Sequence, residues 1–295
     1  MPKISVSFLL IMLLSLSMLN GCAKTSPQFE TGPRTFSDGL TAEHIFQRSW
    51  KAHGGEHLTE LNDVNVAIDG EWHYLITKIQ PLVTDHLYRQ TSEERIIVTP
   101  RIYSALFNGE AGVKLVYRSE SSTRVSYNEE PSQDPQIQAA AALTSDAFYL
   151  FTLGPLALTN RVSDWQRLSD SNEDGEGYYR INGVLRPGIG ESDQDYITLW
   201  VNKRTLLTYR LHITLEGFES TRGAHVDTSY LKYQTFDNYV LPVHFFERVV
   251  GPINIDAHEW WYTGIDINRG LTAKDLNGEE WSERAKQAAA SIEHK

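Results

Sequence analysis

Over much of this 295-residue chain, apolar residues alternate with polar ones, and that alternation constrains the fold more than any other feature. Val64, Val66 and Ile68 alternate with polar neighbours, and the stretch from Leu207 to Leu215 repeats the pattern. Alternation at every second residue predicts strands with one buried and one solvated face. Because the segments follow one another at hairpin spacing, they predict a meander of antiparallel strands.

The predicted strands fall into two groups separated by a helical segment. In the first group, a long strand from 63 to 76, with a kink expected at Gly70, is followed by shorter strands at 84–91, 94–98, 101–107, 113–118 and 123–127. In the second group, strands are predicted at 162–168, 177–185, 195–201, 205–217, 226–236, 239–249 and 255–267.

Helices are predicted before and between these groups. Thr41 can cap a helix that runs to about His53, where Gly54-Gly55 form its end. The segment 135–153 contains an alanine run and ends at Gly154-Pro155. The chain is therefore predicted to be mainly β with helices, an α+β protein.

The N-terminus resembles a bacterial lipoprotein signal. Lys3 precedes a run of apolar residues and serines that is shorter than the ~20 apolar residues of a membrane-spanning helix. The run ends in Leu19-Asn20-Gly21-Cys22, the kind of site at which such signals are cut before a cysteine that is then acylated. Cys22 is the only cysteine in the chain. The sequence thus predicts a signal peptide over 1–21 and lipidation of Cys22; an ordinary signal peptide with a chance cysteine is the alternative.

This signal also predicts where the protein is located. Ala23 follows the cysteine, in place of the aspartate that retains such proteins at the inner membrane, so the resemblance implies an acyl (palmitate-type) anchor in the outer membrane, facing the periplasm. Residues 22–40 are predicted to be the lipidated cysteine and a flexible tether. No composition break divides 41–276, which is predicted to be one domain, and 277–295 has the composition of a helical tail.

Charge excludes one class of partner. The net charge is −11, and an acidic surface repels phosphate, so nucleic acid is not an expected partner. With 41% hydrophobic and 22% charged residues, the chain has globular composition, which excludes a disordered or polytopic membrane protein.

Two stretches imitate metal-binding motifs. Residues 53–57 spell H-x-x-E-H, but that motif needs both histidines on one helix face, and two consecutive glycines are expected to end the helix. Asp170 to Gly175 begins like a calcium loop, but Ile181 stands where a closing glutamate is required, so a hairpin loop is expected.

No nucleophile motif, phosphate loop or dinucleotide fingerprint occurs in the sequence. We therefore predict a non-enzymatic protein without catalytic residues, metal ligands or a cofactor. A metal-dependent hydrolase is the alternative.

Aromatic residues are frequent on the predicted strands and on the segment 135–153. They fit a large sheet whose core they fill against covering helices. They also fit an apolar cavity enclosed between a curved sheet and those helices, which would suit acyl chains. Composition does not separate the two interpretations.

Three local stretches carry a family resemblance. They are Ala52-His53-Gly54-Gly55 before the first strand, Tyr196 to Tyr209, and Tyr233 to Glu247 with its Leu241-Pro242 pair. Together with the order of elements, they resemble the superfamily of the periplasmic lipoprotein-localisation carriers, LolA and LolB. The resemblance implies an incomplete antiparallel β-barrel, a half-barrel, with helices covering its concave face and a hydrophobic concavity that holds acyl chains.

The combined prediction is a periplasm-facing outer-membrane lipoprotein that binds a lipid, an acyl chain or a lipidated protein. The candidate ligand-binding residues are Trp72, Tyr74, Phe148, Phe151, Trp200 and Trp260. The alternative is a non-enzymatic envelope scaffold or sensor that docks a protein partner through its sheet edge or its acidic surface.

Overall fold

A computed structural model of the chain describes residues 36–277 and residue 281. In this part of the chain, thirteen strands form one antiparallel sheet. The strands are β1 (Asp63–Trp72), β2 (Thr91–Ile97), β3 (Ile102–Gly109), β4 (Gly112–Ser119), β5 (Thr123–Tyr127), β6 (Glu130–Pro131), β7 (Val162–Glu173), β8 (Glu176–Leu185), β9 (Asp195–Asn202), β10 (Thr208–Thr214), β11 (His225–Phe236), β12 (Tyr239–Gly251) and β13 (Ile255–Ile267).

The helices are α1 (Ala42–Ala52), α2 (Tyr74–Ile79), α3 (Pro81–Thr84), α4 (Pro135–Leu153) and α5 (Ala273–Asn277), with 3-10 turns at Gly55–Glu60, Gly154–Leu158 and Glu219–Thr221. The predicted α+β class is confirmed, as is the open half-barrel, because β6 and β7 end the sheet as edges instead of pairing with each other.

The sheet consists of two meanders, β1 to β6 and β7 to β13, joined by antiparallel pairing of β1 with β13. The two free edges, β6 and β7, are therefore consecutive along the chain. The segment between them must run from one edge of the sheet to the other, and α4 is that segment. It packs on β3, β4, β5 and β12 and covers the concave face.

The ends of α4 follow from its sequence. The Asp134 carboxylate accepts a hydrogen bond from the Gln136 N–H at 2.8 Å, Pro135 occupies the first turn, and Gly154 ends the helix. By length and composition the helical stretch 135–158 could cross a bilayer, but 94% of its most apolar window is buried within the protein. It is a core helix, and it occupies the segment that the sequence predicted to be helical.

Helix α1 also begins and ends where predicted. The Thr41 hydroxyl accepts a hydrogen bond from the His44 N–H at 3.2 Å, and His53 is the C-cap. Gly54 has a φ of +91°, and a Cβ there would lie 2.2 Å from the Asn238 carbonyl oxygen. Because the helix ends here, the histidines of residues 53–57 do not share a helix face.

One predicted strand is too long and another is wrong. The strand expected over 63–76 ends at Trp72, after which residues 74–79 form α2. The strand expected over 84–91 is instead the end of α3 and a turn, and β2 begins at Thr91. The register irregularity in β1 lies between Ala67 and Ile68, not at Gly70.

The cause of this error is a pattern that fits two structures. Trp72, Ile76, Ile79 and Val83 recur at intervals of three to four residues, so the apolar spacing suits a helix as well as a strand. After β1 the chain leaves the sheet, and these side chains pack over the concave face. Tertiary packing decides between the two structures.

The strands of the second half, and those at 94–98, 101–107, 113–118 and 123–127, are confirmed, although β7 extends to Glu173 and β10 spans only Thr208–Thr214. The polar stretch at 170–175 lies at the hairpin between β7 and β8: residues 170–173 extend β7, and Asp174 and Gly175, both at positive φ, form the turn.

Several predictions fall on residues outside the described part. The signal peptide 1–21, Cys22 and most of the tether 22–40 lie there, as does most of the tail 277–295. At the described end of the tether, Asp38 pairs with Arg167 of β7 at 2.5 Å, and this hydrogen-bonded pair lowers the pKa of Asp38 to about 2.

Candidate functional site

A cavity of about 190 Å³ lies between the concave face of the sheet and helices α2, α3 and α4. Its wall is mainly apolar, with a few polar groups. The apolar part comprises Trp72, Ile76, Ile79, Val83, Leu143, Ala147, Phe148, Phe151, Leu215, Ala224, Val226, Val249, Pro252, Ile253 and Ala257. The polar part comprises Gln80, Thr84, Arg89, Thr144, Ser220, Thr221, Arg222 and Glu247. A wall of this kind is typical of a site for an apolar ligand.

Helices α2 and α3 form a lid over this cavity. They are short, and Pro81 begins α3 at a position where its missing N–H costs nothing. Gln80, between the two helices, connects the lid by hydrogen bonds to the loop after β10. Its Nε2 donates to the Ser220 carbonyl oxygen at 2.7 Å, and the Ser220 hydroxyl donates to its Oε1 at 2.7 Å.

The mouth of the cavity is bordered by exposed apolar side chains. Ile79 on the lid is 43% exposed and Ile253, in the turn between β12 and β13, is 41% exposed, and both also line the cavity. Tyr74, Leu75 and Leu82 add further exposed apolar surface on the lid. A cluster of exposed apolar groups around a cavity is typical of a binding surface.

A charged group stands in the cavity wall. Arg89 is only 6% exposed, and its guanidinium lies 5.2, 5.0 and 5.1 Å from the ring centroids of Trp72, Phe107 and Phe148. Its Nη1 donates to the Val83 carbonyl oxygen at 2.8 Å. Such contacts with aromatic faces stabilise the cation.

Beside Arg89, a smaller space beneath the cavity is lined by Ser92, Glu94 and His258. Burial raises the pKa of Glu94 to about 7, although the Ser92 hydroxyl donates to its Oε1 at 2.9 Å. Burial likewise raises the pKa of Glu247, in the cavity wall, to about 7. Burial lowers the pKa of His258 well below its usual value, so this ring is neutral.

Three of the six candidate residues line the cavity: Trp72, Phe148 and Phe151. Trp260 lies behind them in the core, fully buried, with its ring 5.2 Å from that of Phe148 and stacked on Phe245 at 4.8 Å. It supports the wall without forming part of it.

The other two candidates lie elsewhere. Tyr74 is on α2 and 75% exposed, because the strand on which it was predicted ends at Trp72. Trp200 lies between Arg180 and Arg210, directly opposite both on neighbouring strands, with guanidinium-to-ring distances of 5.1 and 5.3 Å. Its chain neighbours, Leu199 and Val201, are fully buried, so Trp200 faces away from the core.

Sequence reasoning missed most of the wall. The helical spacing of Ile76, Ile79 and Val83, with Pro81 between them, was a readable signal for the lid. No local pattern marks Arg89 or Glu247, because their relation to the cavity depends on long-range packing.

The two metal-like stretches form no metal site in the structure. His53 is buried, with its Nδ1 2.8 Å from the Val240 carbonyl oxygen and its Nε2 accepting the Thr208 N–H at 3.1 Å. Both ring nitrogens are thus occupied by the backbone. Among residues 36–277 and 281, no group of three or more His, Cys, Asp or Glu side chains is placed to hold a metal ion.

The fold and the cavity together define a half-barrel protein that encloses an apolar space under a helical lid. No family model matches the chain, and no curated protein matches it. Among solved structures, the chain is similar to a LolA superfamily protein from Nitrosomonas europaea, with 13% sequence identity, a TM-score of 0.46, and coverage of 82% of this chain and 99% of that one.

It is also similar to a DUF1329 family protein from Desulfovibrio piger, with 12% identity, a TM-score of 0.46, and coverage of 80% of this chain and 96% of that one. The half-barrel that the sequence resemblance implied is observed directly in the strand order of the sheet. At such identities, the similarity carries no information about a ligand.

Proposed function

We propose that this chain is a non-enzymatic lipoprotein of the bacterial outer membrane, faces the periplasm, and binds an acyl chain in the cavity under α2 and α3. The observation that carries the proposal is the apolar cavity itself, covered by a hydrogen-bonded lid and bordered at its mouth by exposed apolar side chains. Burial of acyl CH2 groups, at about 0.8 kcal/mol each, would drive binding.

The size of the cavity narrows the class of ligand. A cavity of about 190 Å³ is somewhat larger than one of about 150 Å³ that admits benzene in another protein. It suits one acyl chain, or part of one, rather than the several chains of a lipidated protein. A larger ligand would require the lid to open.

The alternative function, a scaffold that docks a partner through its sheet edge, has less support from the structure. The edge strand β7 pairs with β8 irregularly, with register shifts after Ser163 and after Leu168. It also carries the charged residues Asp164 and Arg167. Bulges and charges of this kind discourage the addition of a further strand.

The binding proposal is tested on the mature chain, residues 22–295, with Cys22→Ser so that its own lipid does not compete. It is exported to the periplasm and purified without detergent, and its organic extract is analysed by mass spectrometry. We expect an acyl ligand at about one per chain. Thr144→Phe, which places a ring in the cavity wall, should greatly reduce that amount, whereas Thr205→Phe on an exposed turn should not.

Two outcomes would contradict acyl binding: a lipid-free protein that also fails to bind added decanol, or equal ligand in the Thr144→Phe variant. Either would favour the scaffold, which crosslinking to envelope proteins would then test. The anchor is tested separately, by membrane fractionation. The unaltered chain should sediment with the outer membrane and be released by Cys22→Ser, and sedimentation with the inner membrane would contradict the proposed location.

A further inference from the structure

The guanidinium of Arg89 is buried without a counter-ion. Among the described residues, none of the ion pairs includes it. Of its N–H groups, Nη1 donates to the Val83 carbonyl oxygen and the buried Nε–H has no acceptor. A buried charge is costly unless it is paired, so a cation kept in this state indicates a missing anion.

The nearby acids do not supply that anion. Glu94 and Glu247 come close enough to influence Arg89 electrostatically, but neither forms an ion pair with it. Burial raises the pKa of both carboxyls to about 7, so below neutral pH both are mainly protonated. The guanidinium then remains the dominant charge of the cavity wall.

The arrangement of the cavity also orients a ligand. Arg89 is buried in its wall, whereas Ile79 and Ile253 form an exposed apolar border at the mouth. A ligand with an anionic end beside Arg89 would extend its hydrocarbon chain along the apolar wall toward that border. The guanidinium fork can bind both oxygens of a carboxylate or of a phosphate.

We propose that Arg89 binds the anionic head group of a single-chain amphiphile, a carboxylate or a phosphate monoester, whose acyl chain fills the cavity. This inference rests on the proposed function and names the ligand class of the same site. It places the head group inside the protein and the chain toward the mouth.

The test compares ligands that share a chain and differ in the head group. Decanoic acid, decyl phosphate and decanol are titrated calorimetrically into the mature chain with Cys22→Ser, at about pH 6, where a ligand carboxylate is ionised and Glu247 is mainly protonated. Inorganic phosphate is titrated as the ligand without a chain. A hydrogen bond to a charged group predicts that one or both anionic amphiphiles bind about tenfold or more tightly than decanol.

In Arg89→Gln, decanoic acid and decyl phosphate should bind no more tightly than decanol, and this preference is measured as the ratio of affinities within the same protein. Arg204→Gln, an exposed arginine on the turn between β9 and β10, should behave like the unaltered chain. Arg222→Gln at the mouth should also retain the preference. Whichever of decanoic acid and decyl phosphate binds more tightly identifies the head group, a carboxylate or a phosphate.

Equal binding of decanol and both anionic ligands would overturn the head-group site while leaving the acyl cavity in place. The head-group site would also be overturned if Arg222→Gln lost the preference for anionic ligands while Arg89→Gln kept it. Binding of inorganic phosphate as tightly as decyl phosphate would overturn it as well. Failure of decanol and both anions to bind would instead contradict the proposed function. If Arg89→Gln does not fold, the comparison of ligands on the unaltered chain still decides, and Arg89→Lys, which keeps the charge, should retain part of the preference.

Discussion

Gln80 and Ser220 exchange two hydrogen bonds of 2.7 Å across the mouth of the cavity, one through the Ser220 carbonyl oxygen and one through its hydroxyl. They join residues 140 positions apart, the lid on one side and the loop after β10 on the other. Because both bonds are exposed, each contributes only about 0.5–1.5 kcal/mol. The lid is therefore held by a contact weak enough to break during ligand exchange.

Gln80→Ala is expected to loosen the lid without destabilising the sheet. Loss of both hydrogen bonds should raise amide hydrogen exchange in residues 74–84 by about tenfold. The measurement is hydrogen exchange followed by mass spectrometry. Gln133→Ala, which shortens an exposed side chain between β6 and α4, is the control and should change nothing in 74–84. Unchanged exchange in the lid, or faster exchange throughout the sheet, would contradict this role for Gln80.

Asp146→Asn is expected to destabilise the fold strongly. Asp146 is buried on α4, where its Oδ2 accepts from Arg118 Nη2 at 2.9 Å and from the Gly190 N–H at 3.0 Å. Removing the charge leaves Arg118 without its counter-ion, which should lower the free energy of unfolding by about 3 kcal/mol.

Urea unfolding measures this change. Glu176→Gln is the matched control, because its pair with Arg204 is exposed to solvent and should contribute little to stability. If Asp146→Asn lowers the free energy of unfolding as little as Glu176→Gln does, the pair of Asp146 with Arg118 does not stabilise the packing of α4 on the sheet.

Glu94→Gln is expected to become more stable than the unaltered chain as the pH rises. The folded pKa of Glu94, about 7, lies above its ordinary value of 4.5, so between these values the folded state holds a proton that the unfolded state releases. The stabilising contribution is complete below pH 4.5 and is lost as the pH rises through 7. Glutamine lacks this titration and can still accept the hydrogen bond from Ser92.

The difference in unfolding free energy between the variant and the unaltered chain should therefore grow by about 3 kcal/mol from acid to about pH 8. Taking the difference removes the titration of groups common to both proteins. A difference that does not change with pH would show that Glu94 is ionised in the folded state.

The His53 ring is expected to stay neutral well below its ordinary pKa. Burial lowers the pKa of His53 to about 4, and the acceptor at Val240 requires the proton on Nδ1. This depressed pKa makes folding less stable as the pH falls from 6.5 toward 4, because only the unfolded ring gains a proton there. Nitrogen NMR shifts should show the Nδ1–H tautomer at about pH 5. If His53 of the folded protein titrated near pH 6.5, as it should in the urea-unfolded chain, the buried and hydrogen-bonded position of this ring would be contradicted.

Helix capping and strand alternation made much of the fold predictable. Thr41 and Asp134 precede α1 and α4 as N-caps, and Gly54 and Gly154 follow them, so both helices were recognisable from neighbouring residues alone. In the stretch 207–215 the alternation correctly predicted a strand with Leu211 and Ile213 in the core, although Thr208, His212 and Thr214 of the other face are buried as well.

The candidate site was less predictable. Trp72 and Trp200 are both tryptophans on strands, yet one lines the cavity and the other lies between two arginines on the opposite face. Tyr74 followed the alternation of β1 but belongs to a lid helix. Arg89 lies in the loop before β2, which has no distinguishing pattern.

By itself, the amino-acid sequence determined the antiparallel meander, the helix that separates its two halves and the class of fold, because capping and alternation act between residues close together in the chain. Only the tertiary structure decided that β1 pairs with β13, that residues 74–84 form a lid, and that Arg89 stands in the wall of an apolar cavity. The physical reason is that the cavity is bounded by side chains from separate elements, whose relative positions are set by the curvature of the sheet and by long-range packing against α4.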